Sequence, residues 1–351
     1  MGIFVSLLVF SFLIFFHELG HFLAARYFGV HVEVFSIGFG KRVLTKQFGS
    51  TEWSFSAIPL GGYIRMKGQD DSDPTKKSYA EDSYNSKTPI QRIVISLAGP
   101  FANFLLAFLL YLAISIIGVP TTLATIDTIM KESPAQTAGI QSGDTILNID
   151  GHPIKFWSDI GKHIQQKDYT HQLTILRDNH YIDLTITPKL LESKDVFGET
   201  HQRYLLGITP DSNALANVSY GFNESIKFAY AQTQRSSLYI LESLKKLVTG
   251  LIPVENLGGV IGIVDTTSKV SQMGIVAVLM FAALISVNLG VINLLPIPAL
   301  DGGHIMFQLY ELITKKPASD EVMFKLTLFG WSVLLTLMLL GVYNDINRLL
   351  G

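Results

Sequence analysis

His17 and His21 stand four residues apart in "FFHELGHFLAARYF" (15–28), with Glu18 beside the first. Four residues advance an α-helix by about 400°, so both imidazoles project from one face, a turn apart. Two imidazoles so placed can hold one Zn²⁺ at about 2.0–2.1 Å from each nitrogen. Glu18 lies on a neighbouring part of the helix surface, where its carboxylate reaches a water at the metal without being a ligand. His-Glu-x-x-His is the spacing of zinc hydrolases in which the glutamate is the general base. A pattern this short also arises by chance in unrelated chains, so its context decides. Here the context is an apolar run from Gly2 to about Ala25. Ionisable groups within a membrane span cost at least about 2.5–3.5 kcal/mol each on insertion scales, so they mark function unless they sit at the boundary and touch water.

Zinc needs a third protein ligand and an open position for water. Asp301 is the best candidate, in "NLLPIPALDGGH" (293–304) at the end of another apolar stretch. Pro296 and Pro298 prevent a regular helix there and free backbone groups that must bond elsewhere. Gly302 and Gly303 let the chain turn tightly after the aspartate. Taken alone, Asp301 would be an ordinary interfacial helix end; paired with the histidine motif it reads as a ligand. His304 is a rival ligand just beyond the glycines.

Four apolar stretches must position these groups: Gly2 to about Ala25, Ile93–Ile117, Ile275–Leu295 and Leu326–Tyr343, each near the ~20 residues that a bilayer requires. Composition agrees, with 48% hydrophobic residues and only 16% charged. No positive charge precedes the first run, which argues against a cleavable signal peptide despite the small residues of "FLAARY". With no cysteine there can be no disulfide, thiolate ligand or cysteine nucleophile, and a net charge of −2 offers nothing to nucleic acid. Lys and Arg crowd the segment between the first two spans, and Lys315, Lys316 and Lys325 follow the third. Both segments fall on one side of a four-span arrangement, which the positive-inside rule makes cytoplasmic. Both termini and the long 119–272 segment would then lie outside.

Between the spans, Val30–Lys67 alternates apolar and polar residues with glycine punctuation and reads as three or four strands; 68–89 reads as a polar loop. Residues 119–208 read as a separate soluble α+β domain. Gly143-Asp144 signals a turn, Asp150-Gly151 a tight hairpin, and about 156–166 a polar helix. An amphipathic helical stretch follows at 219–250, and the glycine-rich 251–266 reads as re-entrant or interfacial.

Two resemblances follow from these residues. "SPAQTAGIQSGDTILNIDG" (133–151) resembles the core of a PDZ domain. The whole chain resembles the bacterial site-2 proteases, zinc intramembrane metalloproteases of the regulator-of-sigma-E type. That likeness rests on "HELGH", "PLGGYIRMKG" (59–68), "AGPFANF" (98–104), the PDZ-like segment and "NLLPIPALDGG", in the family's order. It implies a polytopic α-helical membrane protein of about four transmembrane helices. A cytoplasmic-side, membrane-associated β-element and one extracytoplasmic PDZ-like domain complete it, in the cell inner membrane. The expected divisions are 1–29, 30–91, 92–118, 119–208, 209–272, 273–303 and 304–351.

The family's roles carry over as one Zn²⁺ on His17, His21 and Asp301, with Glu18 activating water. Asn293 would hold the substrate backbone or the oxyanion, unless it merely satisfies backbone groups. Gly61 and Gly62 mark the β-element, which would add an extended substrate strand or else simply cap the site. Gly99, Pro100 and Asn103 suit close helix packing rather than catalysis. Expected partners are the lipid bilayer, a single-span membrane protein substrate (an anti-sigma factor or a signal-peptide remnant) and a peptide or periplasmic ligand at the PDZ-like domain. Some relatives carry tandem PDZ domains where this chain has one. A non-catalytic peptide-binding scaffold and a metal or proton transporter are competing readings; the first predicts no bound metal, the second transport in vesicles.

Overall fold

The computed structural model describes residues 2–69, 77–164, 169–194 and 199–350. In chain order, α1 (Gly2–Tyr27) leads into β1 (Val32–Phe48) and β2 (Thr51–Met66), then α2 (Pro89–Ile117). Next come β3 (Val119–Thr122), β4 (Ile126–Ile129), α3 (Pro134–Thr137), β5 (Thr145–Ile149), β6 (His152–Pro153) and α4 (Trp157–Ile164). Strands β7 (His171–Arg177), β8 (His180–Ile186), β9 (Lys189–Lys194), β10 (Thr200–Leu205), β11 (Ile208–Pro210) and β12 (Leu215–Val218) follow. The chain ends with α5 (Phe222–Val248), α6 (Val260–Gln272), α7 (Ile275–Asn293), α8 (Asp301–Thr314) and α9 (Asp320–Leu350). These elements form two units, one of Met1–Ile114 with Phe222–Gly351 and one of Ser115–Gly221.

In the first unit α1, α2, α7 and α9 are each long and apolar enough to cross a membrane. Their outer faces show why: Phe4, Leu8, Phe101, Leu105, Leu335 and Leu339 are all exposed, a pattern stable in lipid but not in water. Close approach inside the bundle depends on small residues. A Cβ on Gly20 of α1 would lie 2.2 Å from the carbonyl oxygen of Ala98 on α2. One on Gly290 of α7 would lie 3.1 Å from the Phe104 ring.

The β-element is built from two continuous strands, each bent at its glycines into two arms. Gly38, Gly40 and Gly61 all take positive φ. The bends let Val34 pair with both Glu52 and Arg65, so the first arm of β1 lies between the two arms of β2. The second arm of β1 pairs across the turn, from Arg42 with Ser56 to Phe48 with Thr51. The glycines that suggested separate strands are therefore kinks within longer ones, as glycine's tolerance of positive φ permits. Among the described residues no strand pairs with the outer side of the arm Gly62–Met66. Phe35, fully buried, roots this element on α1: its ring stacks on Trp53 at 4.3 Å and meets Phe15 and Phe22.

The second unit holds a four-stranded antiparallel sheet ordered β6-β5-β7-β8. Ile126, Ile146, Ile149, Ile160, Leu173 and Ile175 form its core. The hairpin at Asp150-Gly151 turns with φ of 50° and 82°, as a tight two-residue turn requires. Ser133 caps α3, and Arg177 grips the buried Asp144 with two 2.7 Å hydrogen bonds. The unit runs past the expected 208 to Gly221. The late strands return to its start, β11 pairing with β4 and β12 with β3. The stretch that begins with Asp301 and the two glycines forms helix α8. Residues 251–266 contain a 3₁₀ turn at Val254–Asn256 and the start of α6.

Candidate metal centre

His17, Glu18 and His21 ride on α1, with Glu18 and His21 buried. Asp301 arrives from far along the chain as the first residue of α8. Between α7 and α8, Pro296 and Pro298 forbid a helix. The segment closes short turns on itself instead, including Ile297 N–H to the Leu295 carbonyl at 2.7 Å and Leu300 N–H to the Ile297 carbonyl at 2.9 Å. Gly302 and Gly303 play a different part from the one expected. Both are helical, and neither has positive φ. They are needed because a Cβ on Gly302 would lie 2.2 Å from the Leu295 carbonyl oxygen and one on Gly303 2.4 Å from that of Ile297. The first turn of α8 thus sits directly on the proline loop. Its N-terminal end also favours a carboxylate, since unpaired N–H groups and the helix dipole give it positive character.

The three side chains converge. His17 Nε2 lies 3.2 Å from His21 Nε2 and 3.3 Å from Asp301 Oδ2, and His21 Nε2 lies 3.2 Å from Asp301 Oδ1. A tetrahedral cation with bonds of about 2.0–2.1 Å puts its ligand atoms roughly 3.3–3.4 Å apart. The two imidazole nitrogens stand close to that spacing, each also lies near one oxygen of the Asp301 carboxylate, and two imidazoles with one carboxylate are a donor set that zinc accepts. Among the described residues this is the one cluster of metal-ligating type. His304 lines the same cavity but is not one of the three converging groups.

The cavity beside the cluster has a volume of about 340 Å³. Glu18 and Asn293 open onto it with the ligands, and the arm Gly62–Met66 of β2 forms one wall. Asn293, the last residue of α7, holds its amide nitrogen 3.5 Å from His17 Nε2. Gly61, at φ 124°, lies under the Phe39 ring, and a Cβ there would be 2.0 Å from it. On Gly62 a Cβ would meet Ile14 at 2.7 Å, the Ser36 carbonyl at 2.9 Å and Glu18 at 3.3 Å. Gly62 therefore sets how near the strand comes to α1, and Gly61 how near it comes to Phe39 of β1.

Helix α2 closes the far side, and it does more than pack. The Ile95 carbonyl lies 2.8 Å from His21 Nδ1. Gly99 presses on the same ring. Pro100 lies inside α2, where its missing N–H deprives the Ser96 carbonyl of its helical partner, and Ser96 borders the cavity. Asn103, wholly buried, reaches His17 Nδ1 at 3.0 Å. The reading of Asn103 as packing overlooked this contact, although an amide in "AGPFANF" was a visible signal. The Ile95 carbonyl could not be read, because a backbone group leaves no trace in sequence.

Comparison with known proteins places the chain in a family of peptidases. The pattern of peptidase family M50 matches residues 5–337. A Campylobacter jejuni protein named "Putative zinc metalloprotease Cj1068" is 42% identical, over 99% of this chain and 93% of its own. The Bacillus licheniformis protein named zinc metalloprotease RasP is 29% identical over 98% of both chains. The Bacillus subtilis protein named regulator of sigma-W protease RasP is 28% identical over 98% of this chain and 97% of its own. A family pattern that spans both halves of the metal cluster, from α1 to α8, and four helices fit to cross a bilayer lead to one assignment: this multi-pass membrane protein belongs to peptidase family M50, the site-2 proteases.

Proposed function

We propose that the chain is an intramembrane zinc endopeptidase in which His17, His21 and Asp301 hold the metal and Glu18 is the general base. The observation that carries this reading is the convergence of His17, His21 and the Asp301 carboxylate, each pair 3.2–3.3 Å apart at its nearest donor atoms, beside a cavity onto which Glu18 opens. When bound, zinc would supply Lewis-acid polarisation of the scissile carbonyl and acidify a water at its open position. Glu18 takes the proton of the attacking water and passes it to the leaving amide nitrogen. Asn293 offers an amide N–H to the oxyanion or to the substrate backbone, a role its place beside His17 supports.

The substrate is a single-span membrane protein. A helix shields its peptide bonds with its own hydrogen bonds, so the target must be opened before it is cut. The outer side of the arm Gly62–Met66, which borders the cavity, suits an extended peptide added as a strand. One relative is named as a regulator of sigma-W protease. By analogy this chain acts in regulated intramembrane proteolysis, on an anti-sigma factor or on signal-peptide remnants. Loop charge supports an inner-membrane arrangement with both termini and the Ser115–Gly221 unit outside and the metal toward the cytoplasm. That unit, PDZ-like in its sequence elements, screens substrates by the bulk or end of their external portion.

The decisive test is Glu18→Gln in the full chain, assayed on a tagged single-span substrate in vesicles. Cleavage is expected to fall by several orders of magnitude while zinc content stays at one per chain. Cleavage at the wild-type rate would overturn the mechanism.

A further inference from the structure

We propose that Asn103 is the positioning residue for His17: its side-chain carbonyl accepts the Nδ1–H of the imidazole and so fixes the tautomer that presents Nε2 to the metal. This rests on the reading that His17, His21 and Asp301 bind zinc.

His17 has its Nε2 in the cluster, 3.2–3.3 Å from the other two donors. An imidazole that gives a lone pair from Nε2 carries its proton on Nδ1. That proton needs an acceptor, and in a buried site an unmet donor costs about 1–3 kcal/mol. Among the described residues the one side chain at Nδ1 is the amide of Asn103, with Nδ2 at 3.0 Å. Its other end, Oδ1, is buried and has no hydrogen-bond partner among the described residues. A half-turn about the terminal side-chain bond exchanges the two ends. It brings the orphaned oxygen onto the Nδ1–H, replaces a donor facing a donor with a proper hydrogen bond, and moves Nδ2 to the place that Oδ1 held.

The second histidine provides an internal precedent. His21 Nδ1 lies 2.8 Å from the Ile95 carbonyl of the same helix α2. His17 and His21 are one turn apart on α1, and Ile95 and Asn103 are about two turns apart on α2. The pairing His21–Ile95 and His17–Asn103 therefore runs in opposite directions along the two helices. One carbonyl comes from the backbone and one from a side chain. Asn103 is itself held in place: Ser286 of α7, also fully buried, donates its hydroxyl to the Asn103 backbone carbonyl at 2.8 Å. The bond thus links α2 and α7 at the residue that addresses the ligand.

Packing and positioning make opposite demands on this residue. If Asn103 only fills space, near-isosteric Leu is tolerated and a buried carboxylate at Asp is the worst replacement. If it accepts from His17, Asp keeps the acceptor and Leu removes it. The experiment is zinc affinity of the full-length protein in detergent, by competition with a chromophoric chelator. Variants are Asn103→Leu, Asn103→Asp and, as control, His17→Ala. We expect Asn103→Leu to bind zinc 10–100-fold more weakly than wild type and Asn103→Asp to stay within a few-fold of it. The inference is overturned by wild-type affinity in Asn103→Leu, or by weaker binding in Asn103→Asp than in Asn103→Leu. Should Asn103→Leu not fold, Asn103→Asp decides alone: affinity near wild type supports the role, and more than a tenfold loss defeats it. Unchanged affinity in His17→Ala would instead remove the metal assignment on which the inference stands.

Discussion

A Cβ on Gly99 would lie 2.1 Å from Nε2 of His21, the atom that faces the metal cluster. No neighbour can make room cheaply, because the obstructed group is a buried ring whose other nitrogen is tied to Ile95. Gly99→Ala is therefore expected to lose zinc binding and cleavage together. In an ordinary helix interior the same change would add about 0.5–1 kcal/mol of stability. Zinc content measured beside the thermal unfolding of the chelator-treated protein separates the two effects. Wild-type zinc content in the variant would mean that α1 and α2 can part without cost.

Removal of the metal or of any ligand should act alike. Dialysis against a strong chelator is expected to abolish cleavage, and added Zn²⁺ to restore it. Replacement of His17, His21 or Asp301 by Ala should abolish cleavage beyond rescue at micromolar zinc. Metal analysis of the purified variants checks the ligand set residue by residue.

Gly61→Ala is expected to impair substrate handling while sparing the metal. The residue sits at φ 124° under the Phe39 ring, where a side chain is both strained and obstructed. Strain of this kind costs about 1–3 kcal/mol. Relief would shift the arm Gly62–Met66, which borders the cavity. The predicted result is cleavage reduced at least tenfold with zinc content unchanged, measured on the same tagged substrate.

Acid should loosen the Ser115–Gly221 unit through Asp150. Burial pushes this carboxyl up, but the Gln172 N–H at 2.8 Å and the His171 ring at 2.6 Å outweigh it and hold the group below its ordinary value. Because its folded value is lowered, the unfolded chain binds the proton more readily. The stabilisation is present above the ordinary carboxylate pKa of about 3.9 and is lost as pH falls through the folded value. Hydrogen-exchange protection factors of this segment in the full chain, corrected for the intrinsic rate at each pH, should fall below about pH 4. Asp150→Asn should flatten that dependence.

The end of α9 clamps the start of α6, and cutting the clamp should destabilise the bundle. The buried Asp345 accepts the Gly262 N–H at 2.7 Å. Asn344 donates to the Val254 and Leu257 carbonyls, and Arg348 to those of Glu255 and Leu257. Asp345→Ala leaves a half-buried N–H unpaired, and a loss of about 1 kcal/mol is expected. Chemical unfolding in detergent micelles measures it, and zinc content is expected to stay at wild type.

Much of this protein was legible in one dimension, for local reasons. Periodicity and hydropathy act over a few turns, so three of the four spans could be read within about four residues of their observed ends, while the fourth helix extends beyond its apolar stretch at both ends, to Asp320–Leu350. The i, i+4 spacing of His17 and His21 is geometry internal to one helix. The Asp150-Gly151 hairpin likewise depends only on which residues accept positive φ. What tertiary structure decided is everything in which two distant segments meet. It separates Asp301 from His304 as the converging carboxylate and makes kinks, not ends, of the glycines in the β-element. It uses Gly302 and Gly303 for close approach rather than for a turn. It turns Gly99 and Asn103 from packing residues into neighbours of the two histidine rings. The physical reason is common to all four: hydrogen-bond direction and steric clearance depend on atoms supplied by another helix, and a sequence states which residues exist but not which of them will touch.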